Sequence, residues 1–136
     1  MNTQSPSDRP HVLQIGSLLP ALETWLRERY TVGVLDEAPD PAAFLAEQGA
    51  RFSGVATSAL YGISAEQIAA MPNLQVISCF GVGVDNIDIE KAREFGVKVC
   101  NAAGKNANAV AELTIGLIIS AMRNIHTLHQ TTRQGR

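Results

Sequence analysis

The sequence lacks the features that mark redox-active, nucleic-acid-binding and membrane-surface proteins. It has only two cysteines in 136 residues and no CxxC pair, which argues against a disulfide or redox pair. Cys79 and Cys100 fall in strand-like apolar runs, so we predict two reduced, buried thiols. Lysine and arginine form no run and the net charge is −2, so we expect no nucleic-acid or membrane partner.

Long apolar runs are also missing. No run is as long as the roughly 18 residues that a membrane-spanning helix needs, and the apolar stretch at residues 107–122 is interrupted by polar side chains such as Asn108 and Glu112. Residues 1–10 are polar and lack the apolar core of a signal peptide, so we predict a disordered lead-in there. The apolar fraction of 46% and the charged fraction of 18% predict a cytoplasmic globular protein with room for one core.

Apolar strand-like runs alternate with helical patterns along most of the chain. This alternation predicts an α/β fold in which a parallel sheet with right-handed crossovers carries helices on its faces. The run at residues 74–80 is almost entirely apolar, so this strand should lie in mid-sheet and be covered on both faces. Strands are predicted at residues 11–16, 31–35, 52–57, 74–80 and 97–100, and helices at 18–29, 39–48, 65–71 and 89–95.

The last predicted helix, residues 108–129, is apolar around most of its circumference. A helix of this kind is buried on more than one side, so we expect a second domain or a second subunit to cover it. The polar tail at residues 131–136 carries no closing signal, as if the chain were cut inside a linker. One apolar stripe comprises Val110, Leu113, Leu117, Ala121 and Ile125, and Ile115, Ile118, Ile119 and Met122 widen it.

A glycine-rich loop, GVGVDN at residues 81–86, follows the fourth predicted strand. It fails as a dinucleotide fingerprint because Asn86 stands where a third glycine is required, and because no acidic residue ends the next strand. Two glycines can still turn consecutive backbone N–H groups toward one point, which suits a carboxylate. The alternative is a tight turn with no ligand. Asp85 and Asn86 are predicted to be turn or cap residues.

The remaining polar features are weaker candidates. A loop at residues 101–106 precedes the last helix and could line the same cleft; the alternative is a helix cap at Asn106 or Asn108 with a solvated Lys105. His126 and His129 are three apart, but no Cys, Asp or Glu nearby completes a metal site. They also lack a carboxylate partner for proton transfer. We therefore assign neither a metal nor a catalytic residue.

The two loops and the helix after them resemble the D-isomer-specific 2-hydroxyacid dehydrogenase family. The resemblance rests on FGVGVDNID at residues 80–88 and FGVKVCNAAGKNANAVAELTIGLIISAMR at residues 95–123. These motifs are similar to those of the branch of glyoxylate, hydroxypyruvate and hydroxyphenylpyruvate reductases. The likeness is strong over residues 71–135 and looser, but compatible, over residues 11–70.

The resemblance implies a domain plan and a site. It implies a flavodoxin-like substrate domain at residues 11–106, a long interdomain helix at 107–130 and a truncated linker at 131–136. It also implies a homodimer, with the long helix contributing to the interface. In such enzymes backbone amides hold the substrate carboxylate. The matching positions are Val82 and Gly83, with Gly81 and Leu60 beside them and Val110 near the NAD or NADP cofactor.

The hypothesis from the sequence is therefore the substrate-domain portion of an NAD(P)-dependent oxidoreductase. The enzyme would reduce a small 2-oxo acid of the glyoxylate or hydroxypyruvate type to the D-2-hydroxy acid. The family's Rossmann domain, and its arginine, glutamate and histidine, have no counterpart here, so we expect a fragment that is inactive alone. The alternative is a stand-alone carboxylate-binding or regulatory module. An unrelated receiver domain is less favoured, because no acidic cluster follows the first strand.

Overall fold

The computed structural model describes residues 9–136, so nearly all of the predicted lead-in at residues 1–10 lies outside the described residues. The chain forms two compact units. One ends at Ala103 and the other spans Gly104–Arg136. The domain boundaries predicted at residues 10, 106 and 130 stay predictions.

The first unit is an α/β domain built on a five-stranded parallel sheet. Its strand order, β2-β1-β3-β4-β5, is the flavodoxin-like order, so the predicted fold class is confirmed. Every predicted strand and helix of this unit is present, with ends shifted by no more than two residues. The strands are β1 His11–Gln14, β2 Thr31–Val34, β3 Phe52–Ser58, β4 Val76–Phe80 and β5 Lys98–Cys100, and the helices are α1 Pro20–Arg29, α2 Pro41–Gln48, α3 Ala65–Ala69 and α4 Ile89–Glu94.

Side-chain caps fix where three of these helices begin. The Asp40 carboxylate accepts from two backbone N–H groups at the start of α2. A capping box between Ser64 and Gln67 opens α3, and the Asp88 carboxylate accepts from a backbone N–H in the first turn of α4. Each cap satisfies N–H groups that have no partner within the helix. Gly96, with φ 69°, supplies the left-handed residue that ends α4.

The main core lies between one face of the sheet and the helices α2, α3 and α4, which cover that face. Leu13, Ile68 and Ile77 are fully buried at its centre. A smaller apolar cluster on the other face packs Leu26 of α1 against β1 and β3. The sheet is therefore covered on both faces at β1 and β3.

The prediction that the fourth strand is covered on both faces is wrong. Ile77 and Cys79 are buried, but the alternate side chains Val76, Ser78 and Phe80 are exposed. The physical reason is the position of α1, which packs on the β1 and β3 side of the sheet. Within the first unit this leaves the outer face of β4 open. An apolar sequence run can therefore mark a half-covered strand.

The two thiols differ in burial. Cys79 is buried on the inner face of β4, as predicted, and both cysteines are free. The prediction that Cys100 is buried is wrong, because this residue is exposed. It ends β5, the edge strand of the sheet, whose outer face is also open. Burial raises the pKa of the Cys79 thiol, which keeps this group protonated at neutral pH.

The second unit consists of two helices, α5 Ala107–Met122 and α6 Ile125–Arg133, so the prediction of one continuous helix over residues 108–129 is wrong. Asn124 adopts the left-handed conformation with φ 52°, which asparagine tolerates better than most residues. The apolar pattern continues across this break, so periodicity does not reveal it. Among the described residues, no helix combines the length and apolar character that crossing a membrane requires.

The apolar side chains of α5 are exposed. Leu117 is 61% exposed and Met122 is 77% exposed, and no residue of α5 is buried. A contiguous apolar surface of this kind marks an interaction site or an aggregation hazard. The second domain or second subunit that we expect to cover it stays a prediction.

We predict that the chain self-associates through α5. Leu117→Glu should shift the protein toward monomer, because glutamate keeps helix propensity while it places a charge on the apolar surface. Size-exclusion chromatography with light scattering measures the effect. Leu19→Glu is the matched control, since Leu19 is 56% exposed but lies in the first unit. A monomeric wild-type chain would contradict the prediction.

Candidate functional site

The candidate site lies at the carboxyl edge of the sheet, beside β3, β4 and β5. Open α/β sheets bind ligands in the crevice outside the carboxyl ends of their strands. The loops that follow β3 and β4 run side by side there. Ala59 N donates to Phe80 O at 3.2 Å, and Ile63 N donates to Asn86 O at 2.9 Å. The fold therefore brings Leu60, on the first loop, next to the glycine-rich loop that holds Gly81, Val82 and Gly83.

We call residues 81–83 the amide loop, because its carbonyls are occupied and its N–H groups are free. Each carbonyl from residue 80 to residue 84 accepts a hydrogen bond from the protein. Across the part of the chain that the structure describes, the N–H groups of residues 81–83 donate to no protein acceptor. The donors are Ala59 N to Phe80 O at 3.2 Å, Ala102 N to Gly81 O at 2.8 Å, Asn101 Nδ2 to Val82 O at 2.6 Å, Cys79 Sγ to Gly83 O at 3.4 Å and Ile87 N to Val84 O at 2.9 Å.

The direction of the free N–H groups follows from the planar trans peptide. In each peptide the C=O and the following N–H point in opposite directions. Gly81 O faces Ala102, and Val82 O faces Asn101, so the N–H groups of Val82 and Gly83 both point away from the segment that follows β5. Two neighbouring donors aimed to the same side form an anion-binding nest.

The two glycines of the amide loop have different roles. Gly81 has φ 133°, and a Cβ added there would lie 3.0 Å from the Cβ of Ala59, so both its conformation and its surroundings favour glycine. Gly83 has no left-handed φ, and an added Cβ would meet only the Asp85 carboxylate at 3.1 Å and the Ala59 Cβ at 3.7 Å. Since the Asp85 side chain can move, the local structure alone does not demand glycine at position 83.

Asn86 and Asn101 each bind a neighbouring loop through a side-chain amide. Asn86 is a turn residue, as predicted, and its Nδ2 also donates to Ala59 O at 2.9 Å and to Leu60 O at 3.1 Å. The N-cap of α4 is Asp88. Asn101 belongs to the second candidate loop and ties that loop to Val82. Asn106 stands before α5 without a side-chain cap bond. We call the side-chain hydrogen bonds of Asn86 and Asn101 the clamps. In the sequence they are signalled only by an amide side chain in a loop, because the residues that they bind are distant in sequence.

Other candidates are found in the second unit. Val110 and Lys105 belong to the second unit and are exposed there, and His126 and His129 are exposed on α6. In residues 9–136, no group of His, Cys, Asp and Glu side chains is arranged to hold a metal ion. What the amide loop offers is a pair of neighbouring backbone N–H donors, a feature that suits an anion.

The sequence of this chain is similar to those of known proteins. A family model described as "D-isomer specific 2-hydroxyacid dehydrogenase, catalytic domain" matches residues 12–134. The hydroxyphenylpyruvate reductase of Plectranthus scutellarioides is 34% identical over 124 residues, which cover 91% of this chain and 40% of that protein.

Two solved structures are similar in both fold and sequence. The 2-hydroxyacid dehydrogenase from Ketogulonicigenium vulgare Y25 has a TM-score of 0.84 and 37% identity, over 93% of this chain and 40% of its own. The NADPH-dependent glyoxylate/hydroxypyruvate reductase from Sinorhizobium meliloti, solved in complex with NADP and malonate, has a TM-score of 0.76 and 30% identity, over 95% of this chain and 39% of its own. This chain thus spans about 40% of the length of these relatives.

We predict that Asn101→Asp destabilises the first unit by about 1 kcal/mol, because a carboxylate at neutral pH cannot donate to Val82 O. Urea unfolding followed by circular dichroism measures the change. Asn106→Asp is the matched control, since Asn106 makes no side-chain cap bond and should lose nothing. Equal midpoints for Asn101→Asp and the wild type would show that this hydrogen bond contributes nothing.

Proposed function

The chain belongs to the D-isomer specific 2-hydroxyacid dehydrogenase family, and we propose that it is the substrate-binding portion of an NAD(P)-dependent oxidoreductase. The enzyme would reduce a small 2-oxo acid, of the glyoxylate or hydroxypyruvate type, to the D-2-hydroxy acid. Because the chain spans only about 40% of such relatives, this activity is proposed for a whole protein. The role assigned to these residues is binding and orienting the substrate.

The observation that carries the proposal is the pair of unpaired N–H groups at Val82 and Gly83. A carboxylate has two oxygens that each accept charge-assisted hydrogen bonds, and two backbone donors aimed to one side match that requirement. Gly81 shapes the turn, and Leu60 is proposed to line the site from the neighbouring loop. A carboxylate held on a rigid backbone fixes the orientation of the adjacent carbonyl group, which is how binding promotes a later bond-making step.

We propose that the cofactor, NAD or NADP, is bound mainly by residues outside this chain. The turn between β4 and α4 does not fit a pyrophosphate, because Asn86 occupies the position of the third glycine and its side chain is bonded to Ala59 O and Leu60 O. Cys100 and Asn101 stand where β5 would need an acidic residue for the ribose. Val110 is proposed to lie near the cofactor, on the strength of the family likeness. Hydride transfer is the chemistry of the bound nicotinamide, and we assign no step of it to a residue of this chain.

The proposed setting is a cytoplasmic homodimer. The exposed apolar residues of α5 support a role for this helix in contacts with a second subunit or a second domain. The small 2-oxo or 2-hydroxy acid is the proposed ligand. The net charge of −2 gives no support to a nucleic-acid partner, and none is proposed.

A second candidate, a carboxylate-binding module without catalysis, is favoured by one observation. The amide loop, its clamps and the core beneath it all belong to the first unit, so the proposed carboxylate contacts involve no residue of the second unit. Steady-state kinetics of the whole protein with glyoxylate and NADH or NADPH separates the two. Turnover supports the oxidoreductase, whereas binding without turnover supports the module.

We predict that Gly83→Val abolishes carboxylate binding, because a branched side chain crowds the approach to the amide loop. Isothermal titration calorimetry of the 136-residue chain with glyoxylate should show at least about tenfold weaker binding, equivalent to about 1.4 kcal/mol.

Gly116→Val is the control for this substitution. Gly116 lies in α5 with open space around it, so this variant should bind glyoxylate like the wild type. If Gly83→Val folds normally and binds glyoxylate as tightly as the wild type does, the assignment of the carboxylate to the amide loop is wrong.

A further inference from the structure

We propose that Asn86 is a positioning residue of the substrate site. Its side-chain amide holds residues 59–62, which we call the substrate loop, against the amide loop. By doing so it sets how well the protein accepts a 2-oxo acid that carries a group larger than hydrogen on its carbonyl carbon. This inference rests on the proposed function and deepens it.

Asn86 is bonded to both ends of the substrate loop. At the start of the loop, its Nδ2 donates to Ala59 O at 2.9 Å and to Leu60 O at 3.1 Å. Just past the end of the loop, Ile63 N donates to the backbone O of Asn86 at 2.9 Å. One residue thereby supplies three hydrogen bonds to a segment that is separated from it by more than twenty positions in sequence. The two side-chain bonds are the part that a substitution removes.

The rest of the substrate loop is also held tightly. The Thr57 hydroxyl, which is 1% exposed, donates to Gly62 O at 2.9 Å. A Cβ added at Gly62 would overlap the backbone O of Asn86, and a Cβ added at Gly16 would overlap the ring of Tyr61. The loop therefore has one well-defined path, and Asn86 is the side chain that secures its first half.

The clamped half of the loop borders the amide loop directly. Ala59 N donates to Phe80 O, and the Ala59 Cβ would lie 3.0 Å from a Cβ at Gly81 and 3.7 Å from one at Gly83. Leu60 follows and is 75% exposed, so its side chain is free to contact a ligand. Movement of residues 59–60 would therefore change which side chains border the amide loop, while the N–H groups of Val82 and Gly83 keep their direction.

The effect of losing the Asn86 side-chain bonds on affinity should depend on the size of the 2-oxo acid. Glyoxylate has only hydrogen beyond its carbonyl, so its binding rests on the amide loop. An acid such as 4-methyl-2-oxopentanoate adds an apolar group that needs a neighbouring surface, which the substrate loop supplies. Loss of the clamp should therefore weaken the binding of the larger acid more than the binding of glyoxylate.

Asn86→Asp tests this, because aspartate has the same shape but cannot donate when ionised. Its charge acts on both monoanionic acids alike, so the ratio of their dissociation constants isolates the effect of the clamp. Calorimetry on the full chain should show that ratio shifting about fivefold against 4-methyl-2-oxopentanoate, which is equivalent to about 1 kcal/mol. Asn73→Asp is the matched control. It removes a side-chain bond of 2.7 Å to Ala50 O and should leave the ratio unchanged.

A second measurement covers the case in which Asn86→Asp does not fold. In the wild-type chain, the NMR signals of the Asn86 side-chain amide should move when 4-methyl-2-oxopentanoate is added and stay in place with glyoxylate. An unchanged ratio in a folded Asn86→Asp variant, or amide signals indifferent to both acids, would overturn the positioning role while glyoxylate binding still supports the proposed function. A wild-type chain that binds neither acid would overturn both.

Discussion

The candidate site depends on one constraint, the capture of the carbonyls of Gly81 and Val82 by the segment after β5. Ala102 N and the Asn101 side chain hold these two oxygens at 2.8 Å and 2.6 Å. Because a trans peptide points its C=O and N–H in opposite directions, that capture aims the N–H groups of Val82 and Gly83 to the other side. The site is thus made by backbone geometry and needs no charged side chain.

The sheet explains why these groups meet. Parallel strands joined by right-handed crossovers bring all their carboxyl ends to one edge, and β4 and β5 are neighbours in the order. The loops after them are therefore adjacent, and the loop after β3 lies on the other side of the amide loop. Asn101, from the segment after β5, binds the amide loop, and Asn86, which follows the amide loop in sequence, binds the substrate loop. Such preorganisation lowers the entropic cost of binding a small anion.

Most of the fold of the first unit could be predicted from local patterns in the sequence. Alternating strand and helix periods depend on neighbours a few residues away, so the strands and helices of the first unit could be predicted directly from the sequence. The exposed face of β4, the exposure of Cys100 and the clamp of Asn86 on Ala59 depend on contacts between segments far apart in sequence.

The break at Asn124 was missed for another reason: one residue in a left-handed conformation interrupts a helix without disturbing its apolar periodicity. The glycine-rich loop could be identified as a possible anion site, but the occupied carbonyls that give its N–H groups their direction became visible only in the structure.

The most direct measurement is an NMR titration of the ¹⁵N-labelled chain with glyoxylate. The account predicts saturable downfield shifts of the amide protons of Val82 and Gly83, as expected for N–H groups that begin to donate to a carboxylate, while Gly116 in α5 does not move. Absent shifts at Val82 and Gly83, or saturable shifts confined to residues 101–106, would contradict it.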